Sequence, residues 1–463
     1  MMEVEVRHHS VLLTRSEGKY SAIGNQCTHY GAPLFISGNR VRCPWHGSCF
    51  NAHTGDLEEY PGIDCLPCHK VHIQNSKVYV SINKKASAAS LICAETLRQE
   101  NFGGRIIMVT REDLLPYDKT RLSKVMNVES DSILMRRMEF FHQYDIEVWL
   151  RKEALSVDTD KKTVTFDDGS VQSYDQILIS TGCAKGLDVP GMNLGNIKML
   201  ETPEDARQIH AACIGHNVVL VGTSFVMEVA SYLLDKASSI TVIGSSEMPY
   251  QNTLGPEIGK LTMLMLTEKN VKFYMNDNVT EVRGTNGKVK DIVLKSGKVI
   301  PADVLIVGIT MPNSEYLKSS KIQMTSKNFV KVDKYMRTNV PDVFCGGDLA
   351  IFPLAMAKNQ MVNIGHWQMA QAQRIVALNM LNKTTELNSV PFYWTVLVGK
   401  TIRYTYGEGY TEIIIKGKFE DRKFLALYID DEVIAAAGLN FDPAVSAVAE
   451  RLASGKVITK KEA

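Results

Sequence analysis

The sequence carries almost no net charge and has neither a long hydrophobic run nor a recognisable leader. Its 463 residues include 52 Lys and Arg against 51 Asp and Glu, a formal net charge of +1. Charge therefore gives no reason to expect a nucleic acid or an anionic membrane as a partner. No apolar run approaches the roughly 18 residues of a membrane-spanning helix, and the first residues resemble neither a signal peptide nor a transit peptide. We expect no transmembrane segment and a cytoplasmic location.

Cysteine is too scarce for a disulfide-stabilised fold. Nine cysteines, an odd number, are spread over 463 residues, which favours a reducing compartment. The chain is 45% hydrophobic, enough to form the cores of about three domains.

Two short segments each pair one cysteine with one histidine. Cys27 and His29 lie in Cys-Thr-His, and Cys43 and His46 lie in Cys-Pro-Trp-His. A tight turn can direct both side chains of such a pair toward one metal centre. The segment resembles Rieske domains, in which two cysteines hold one iron of a [2Fe–2S] cluster and two histidines hold the other. The resemblance implies that Cys27, His29, Cys43 and His46 are the cluster ligands.

A zinc site is the main alternative for these four residues. Zinc sites with two cysteines and two histidines usually have Cys-x2–4-Cys followed by His-x3–5-His, whereas each segment here mixes the two residue types. The spacing therefore favours the diiron cluster, with zinc or no metal left open. Only 13 residues separate His29 from Cys43, a few fewer than in the Rieske family, so we expect a cramped connection between the two loops.

Residues 3–83 contain short alternating hydrophobic runs separated by Gly, Asn and Asp, which predicts an all-β domain. Within it, Cys65-Leu-Pro-Cys68-His69 matches the Cys-x-x-Cys-His pattern of c-type haem attachment. Haem attachment needs an export context, and the pattern here leads directly into a strand. We expect ordinary turn cysteines; haem and a redox or zinc pair are the alternatives.

After Ile82 the pattern changes to alternating helices and strands. We predict a helix over Ala88–Gln99 and strands at Arg105–Val109, Val218–Gly222 and Val304–Gly308. Short strands and a closing helix, Pro443–Ser454, follow Pro391. The expected fold is a multidomain chain: an all-β domain, an α/β part with two dinucleotide-binding domains, and a small α+β C-terminal domain.

Several motifs make this chain resemble the flavoprotein reductases with two dinucleotide-binding domains, which include ferredoxin reductases and the apoptosis-inducing factor family. The motifs are CPWHG at 43–47, LPYDKTRLSK at 115–124, the Thr181-Gly182 turn, VPDVFCGGD at 340–348 and NIGHWQMAQAQ at 363–373. The resemblance implies a Rieske domain at 1–83, a flavin domain at 84–205 and 326–388, a nucleotide domain at 206–325 and a C-terminal domain at 389–463. It also implies [2Fe–2S], FAD and NAD(P)H as cofactors, an electron acceptor as partner, and association with mitochondria as an alternative location.

The resemblance assigns candidate flavin contacts. Asp348, after Gly346 and Gly347 in a turn expected to open a helix, would bind the ribityl and pyrophosphate groups. The remaining candidates are Glu112 for the adenosine ribose, Lys119 and Lys124 beside the flavin, the Thr181-Gly182 turn, His366 with Trp367, and Trp394. A helix cap for Asp348, a solvated loop for the lysines and core positions for the aromatics are the alternatives.

The nucleotide domain shows a damaged phosphate-binding turn. Gly222 and Glu228 lie where G-x-G-x-x-G and an acid facing the nicotinamide are expected. Ile243-Gly-Ser-Ser246 replaces the acid that usually binds the ribose of NAD. NAD and NADP both stay open, with the serines slightly favouring NADP.

The first flavin turn is missing altogether. Residues 84–90 contain no glycine, and the strand before them, Val78–Ile82, is needed for the all-β domain. Either Val78–Ile82 joins the flavin sheet, or the chain is a shortened form with weak flavin affinity; we favour the second. The expected function is NAD(P)H-dependent electron transfer through FAD to the cluster, and the alternative is a non-enzymatic redox-sensing or pro-apoptotic interaction protein. A homodimer is a further alternative for the assembly.

Overall fold

The structure is a computed structural model that describes residues 2–6, 9–16, 19–59, 61–62, 64–74, 77–81, 91–363, 365, 374–388 and 390–463. The glycine-free segment 84–90 and the candidate residues His366 and Trp367 lie outside the described residues. No helix in the described part of the chain is long and apolar enough to cross a membrane.

The N-terminal unit consists of two antiparallel sheets, as the alternating pattern predicted. Its strands are β1 Met2–Val6, β2 His9–Ser16, β3 Lys19–Gly24, β4 Phe35–Ser37, β5 Arg40–Arg42, β6 Cys49–Asn51, β7 Leu57–Glu59, β8 Cys68–Gln74 and β9 Lys77–Ser81. One sheet has the order β1-β2-β3-β8-β9 and the other β4-β5-β6-β7. Strand β9 pairs with β8, and Val78 lies opposite Ile73. Residues 77–81 therefore belong to the N-terminal sheet, and the prediction that Val78–Ile82 could join the flavin sheet is wrong for them. Cys65 and Cys68 are exposed free thiols.

The next segment contains one parallel strand pair and a three-stranded antiparallel sheet. Its elements are α1 Leu91–Gln99, β10 Ile106–Val109, α2 Met138–Gln143, β11 Ile146–Trp149, β12 Ala154–Asp158, β13 Thr163–Phe166, β14 Val171–Ser173, β15 Ile177–Ile179 and β16 Cys183–Lys185. Strand β10 pairs with β11, and β12-β13-β14 form an antiparallel sheet. Helix α1 packs its Leu91 and Leu97 into the core that also holds Ile106 and Ile179.

A complete parallel sheet follows. Its segment comprises β17 Ile197–Lys198, α3 Pro203–Cys213, β18 Asn217–Val221, α4 Val226–Leu233, β19 Ser239–Ile243, α5 Gln251–Thr267, β20 Lys272–Tyr274, β21 Val279–Thr285, β22 Lys288–Leu294, β23 Val299–Pro301, β24 Val304–Val307 and β25 Thr310–Pro312. The order β17-β24-β18-β19-β20 places β18 in the centre. Strand β18 is almost fully buried, because a parallel sheet covered on both faces needs continuous apolar strands.

The segment around Asp348 corrects one expectation. Its strands are β26 Val330–Lys331, β27 Val343–Cys345, β28 Ala350–Leu354 and β29 Gln360–Val362, and residues 374–380 are helical. Strand β27 pairs with β15 in parallel. The Gly346-Gly347-Asp348 turn leads into β28 and not into a helix, because Ala350–Leu354 pairs with β26 and β29. The predicted helix start at Asp348 is therefore wrong, because the residues that directly follow the turn form a strand.

The C-terminal part is an antiparallel sheet covered by a helix. Its elements are β30 Phe392–Leu397, β31 Lys400–Thr405, β32 Glu412–Lys418, β33 Lys423–Asp430, β34 Glu432–Leu439 and α6 Ala444–Ala453. The sheet order is β30-β31-β34-β33-β32. Helix α6 buries Val445 and Ala449 against this sheet.

The N-terminal unit is docked on the C-terminal part through polar contacts. Arg42 is fully buried and binds Glu450 of α6 at 2.6 Å and Glu59 of its own unit at 3.0 Å. Arg403 Nε donates to the carbonyl of Trp45 at 2.5 Å, and Ser446 Oγ donates to the carbonyl of Pro44 at 3.2 Å. These contacts hold the loop that carries Cys43 and His46 against the C-terminal sheet.

Candidate functional site

The two ligand loops have nearly the same backbone geometry. The N–H of Gly31 donates to the carbonyl of Cys27 at 2.8 Å, and the N–H of Gly47 donates to the carbonyl of Cys43 at 3.1 Å. Each loop turns through its glycine at positive φ, 73° at Gly31 and 81° at Gly47. The local sequence therefore builds the same turn twice, and each turn presents one cysteine and one histidine.

The four predicted cluster ligands come together. The Nδ1 atoms of His29 and His46 lie 3.1 Å apart. Two metal–imidazole bonds of about 2.1 Å at a tetrahedral angle would place the nitrogens about 3.4 Å apart, so this pair fits one iron. Cys27 and Cys43 are buried free thiols joined by a side-chain hydrogen bond, which fits the second iron. The residues present fit a [2Fe–2S] cluster.

Burial and hydrogen bonding set the protonation of this group. Burial lowers the pKa of His46 to about 2 and also lowers the pKa of His29, so both imidazoles are neutral near pH 7 and keep a lone pair for a metal. The hydrogen bond from Cys43 lowers the pKa of Cys27, while the same bond raises that of Cys43. The described residues contain no group of three or more side chains around one ion, and a Rieske centre needs only two per iron.

One cavity of about 1890 Å³ connects most of the other candidate residues. We call it the central cavity. It is lined by Lys119, Lys124, Thr181, Gly182 and Asp348. It also reaches Glu112, Glu228, Trp394 and the cluster ligand His29. Gly222, Gly346 and Gly347 do not line it. Residues that are far apart in sequence thus share one space, as the predicted flavin site requires.

A partly buried ion pair lies at one side of this cavity. Lys124 Nζ is 2.9 Å from Glu228 Oε2. Ser123 Oγ donates to the same carboxylate, and the N–H of Val396 donates to Glu228 Oε1 at 3.0 Å. Glu228 is 5% exposed, so the pair is protected from solvent screening. The pair links the 115–124 segment, α4 and β30.

Asp348 presents an unsatisfied polar atom. Its buried Oδ1 has no hydrogen-bond partner among the described residues, while its carbonyl accepts from Asn363 Nδ2 at 2.7 Å. An unpaired buried carboxylate oxygen is costly, and a ligand hydroxyl in the central cavity would satisfy it. This observation fits the ribityl end of a flavin.

The other candidates follow the ends of three different strands. Glu112 follows β10 and pairs with Lys119 at 3.4 Å. Thr181 Oγ1 donates to the carbonyl of Asn313 at 2.8 Å, next to Gly182. Gly222 follows β18 at φ 126°, and its N–H donates to the carbonyl of Ile243 at 2.9 Å. Gly222 therefore belongs to the turn that follows the central strand of the five-stranded parallel sheet.

Trp394 joins the two ligand histidines to the central cavity. Its ring centroid lies 4.6 Å from that of His46 and 5.7 Å from that of His29. Trp394 also lines the cavity. The two histidines predicted to bind the cluster thus pack against the Trp394 ring.

Sequence reasoning missed the residues that place the Cys43 loop and Glu228. Arg403, Ser446 and Glu450 act on the N-terminal unit from more than 350 residues away. Ser123 lies within the 115–124 motif and binds Glu228 across 105 residues. The 115–124 motif is a local signal for Ser123, whereas Arg403, Ser446 and Glu450 have none. Only the docked tertiary structure identifies them.

Two family models match this chain. A Rieske [2Fe–2S] domain matches residues 1–70, and the pyridine nucleotide-disulphide oxidoreductase family matches residues 86–373. Both agree with the resemblance drawn from the motifs and with the predicted fold class.

Known proteins give the same result at full length. Apoptosis-inducing factor 3 of Homo sapiens is 44% identical over 502 residues, covering 100% of this chain and 83% of the relative. Rubredoxin-NAD(+) reductase of Pseudomonas putida is 29% identical over 69% of this chain and 84% of its own. The crystal structure of a ferredoxin reductase from Rhodopseudomonas palustris superimposes with a TM-score of 0.74 at 23% identity, covering 80% of this chain and 94% of that one. The last comparison shows the fold.

Proposed function

We propose an electron-transfer function for this chain, which belongs to the pyridine nucleotide-disulphide oxidoreductase family and matches a Rieske domain over residues 1–70. In this proposal, electrons pass from a reduced pyridine nucleotide through the central cavity and Trp394 to the cluster. The family consists of NAD(P)H-dependent flavoprotein oxidoreductases, which implies the [2Fe–2S] cluster, FAD and NAD(P)H as cofactors. The observation that carries the route is the packing of Trp394 on His46 at 4.6 Å, on the wall of the cavity.

FAD, when bound, supplies the conversion of a two-electron hydride into single electrons. The chain's own residues position and shield the reactants. Lys124 and Glu228 would border the flavin ring, where the ammonium group favours negative charge. Asp348 would accept a hydrogen bond from the ribityl chain, and Glu112 would bind the adenosine ribose. His29 and His46 would hold the iron nearer to Trp394, and Cys27 and Cys43 the other iron.

The same proposal covers the domain division and the nucleotide site. We assign residues 1–83 to the cluster, 84–205 with 326–388 to the flavin, 206–325 with Gly222 to the nucleotide, and 389–463 to docking of the N-terminal unit. The absence of an acid at the end of β19 supports use of NADPH as well as NADH. The homodimer and the mitochondrial association are proposals that sedimentation and cell fractionation test.

Electrons would leave through the exposed side of the ligand loops. Tyr30 and Trp45 flank the histidines and are 43% and 38% exposed. A one-electron protein acceptor of ferredoxin type would fit this surface, because an iron–sulfur cluster passes on single electrons and not hydride.

Anaerobic reduction tests the proposal. Iron-replete, FAD-saturated protein is mixed with NADH or NADPH, and the cluster is followed by EPR. We expect the cluster to be reduced by the nucleotide, more slowly in Trp394→Ala than in Trp394→Phe. A cluster that dithionite reduces but neither nucleotide reduces would contradict the proposed function. Equal rates in the two variants would contradict the route through Trp394.

A further inference from the structure

The five-stranded parallel sheet around β18 can be compared, strand by strand, with the strands of the proposed flavin domain. Its central strand β18 pairs in parallel with β24 on one side and with β19 on the other. Strand β18 leads through Gly222 directly into α4. A strand, a glycine turn and a helix therefore form the phosphate-binding end of this sheet.

Among the described residues, the proposed flavin domain has strand pairs that match the two outer pairs of that sheet, but no strand that matches its central strand β18. The pair β10–β11 corresponds to β19–β20, and β15–β27 corresponds to β24–β17. Among the described residues, each of these two flavin-side sheets has only two strands. The counterpart of β18 is not among them.

The two facing strands border the same space. Ile106–Val109 of β10 and Ile177–Ile179 of β15 both line the central cavity. In a parallel sheet each strand bonds one neighbour with alternate backbone groups, and the remaining groups point to the other side. One further parallel strand would pair with both edges.

The described residues contain no strand that fills this position. Strand β9 is used by the N-terminal sheet, and residues 84–90, before α1, contain no glycine. The human relative aligns through 502 residues against 463 in this chain, a difference of 39. A strand of about five residues with its glycine turn is short enough to fall within that difference.

What remains fits the flavin ring and the ribityl chain better than the ADP half. Lys124, Glu228 and Trp394 line the part of the cavity proposed for the flavin ring, and Asp348 Oδ1 has no partner among the described residues. On the ADP side Glu112 is already paired with Lys119. The backbone N–H groups of a glycine turn, which bind the pyrophosphate in this type of sheet, are not found among the described residues.

We infer that this chain binds flavin through the ring and ribityl end alone, so that FAD and riboflavin bind with similar affinity. The inference depends on the proposed function, because it places flavin in the central cavity. It makes this chain an oxidoreductase with an exchangeable flavin. Retention of FAD is limited because the part of the chain that the structure describes provides no central strand on the flavin side.

Flavin affinity tests this inference without turnover. Full-length apoprotein is titrated with FAD and with riboflavin, and quenching of flavin fluorescence gives the two dissociation constants. We expect the constants to agree within about threefold. Asp348→Ala should weaken both flavins by the same factor, because the lost contact is to the ribityl chain that both share. FAD binding more than about 30-fold tighter than riboflavin, or no binding of either, would overturn the inference.

An insertion variant tests the cause. A five-residue apolar strand and a Gly-x-Gly-x-x-Gly turn are inserted before Leu91, and an insertion of equal length made of Gly and Ser is the matched control. We expect FAD to bind at least about 100-fold tighter in the first variant only, with riboflavin unchanged. No gain for FAD, or an equal gain in the control, would contradict the role of the missing strand. If the affinities behave as expected but the nucleotide fails to reduce the cluster, only the proposed electron transfer fails.

Discussion

Glu450→Gln should loosen the docking of the N-terminal unit on helix α6. The Glu450 carboxylate binds fully buried Arg42 at 2.6 Å and Arg40 at 3.2 Å. Glutamine keeps the shape and one acceptor but removes the charge. Arg42 would then keep one carboxylate partner, Glu59.

The magnitude follows from the burial of this contact. Opposite charges about 4 Å apart attract by about 4 kcal/mol at an effective dielectric constant of about 20. A neutral hydrogen bond retained by glutamine returns about 1 kcal/mol. We therefore expect the free energy of unfolding to fall by about 3 kcal/mol, within the range for broken buried ion pairs.

Urea unfolding, followed through the visible circular dichroism of the cluster, measures this change. With an m-value of about 2 kcal/mol/M, the midpoint should fall by about 1.5 M. Glu412→Gln is the matched control, because Glu412 pairs with Lys460 on the surface and exposed pairs contribute about 0–1 kcal/mol. A shift for Glu450→Gln no larger than that of the control would refute the reasoning.

Three further predictions concern the ligand loop, the cavity and pH. In Gly47→Ala a Cβ would lie 2.6 Å from Phe392 at φ 81°, so cluster retention measured by iron content should fall sharply; Gly31→Ala has open space and should lose only about 1 kcal/mol. Lys124→Met leaves the buried Glu228 carboxylate without its cation and should cost about 1–3 kcal/mol in a thermal-unfolding measurement; an unchanged melting temperature would contradict the ion pair. Burial alone would raise the pKa of Glu59, but the paired arginines lower it overall. Its contribution to stability is therefore present above the unfolded pKa of about 4.3 and lost as pH falls below it. An acid-unfolding curve of Glu59→Gln that is as steep as that of the parent would argue against this effect.

Local signals were sufficient wherever chemistry and structure are encoded within a few residues. The spacing of Cys27 with His29 and of Cys43 with His46 predicted two metal-binding turns, and the structure brings the four side chains together. Hydrophobic periodicity placed β18, β24 and α6 within a few residues, because burial on one or both faces of an element repeats in its own sequence.

Local signals failed where a neighbouring strand decides the conformation. The glycine turn before Asp348 suggested a helix start, yet Ala350–Leu354 forms a strand because β26 and β29 offer backbone partners. Propensity over a short segment is a weak determinant, and tertiary pairing overrides it.

The amino-acid sequence by itself predicted the four cluster ligands, the order of the main elements and the absence of glycine from residues 84–90. The tertiary structure alone decided that Trp394 lies on the ligand histidines, that Lys124 pairs with Glu228, and that β10 and β15 face one cavity with no described strand between them. The reason is physical: ligand spacing and periodicity act over a few residues, whereas contacts between residues hundreds of positions apart exist only after the sheets have packed.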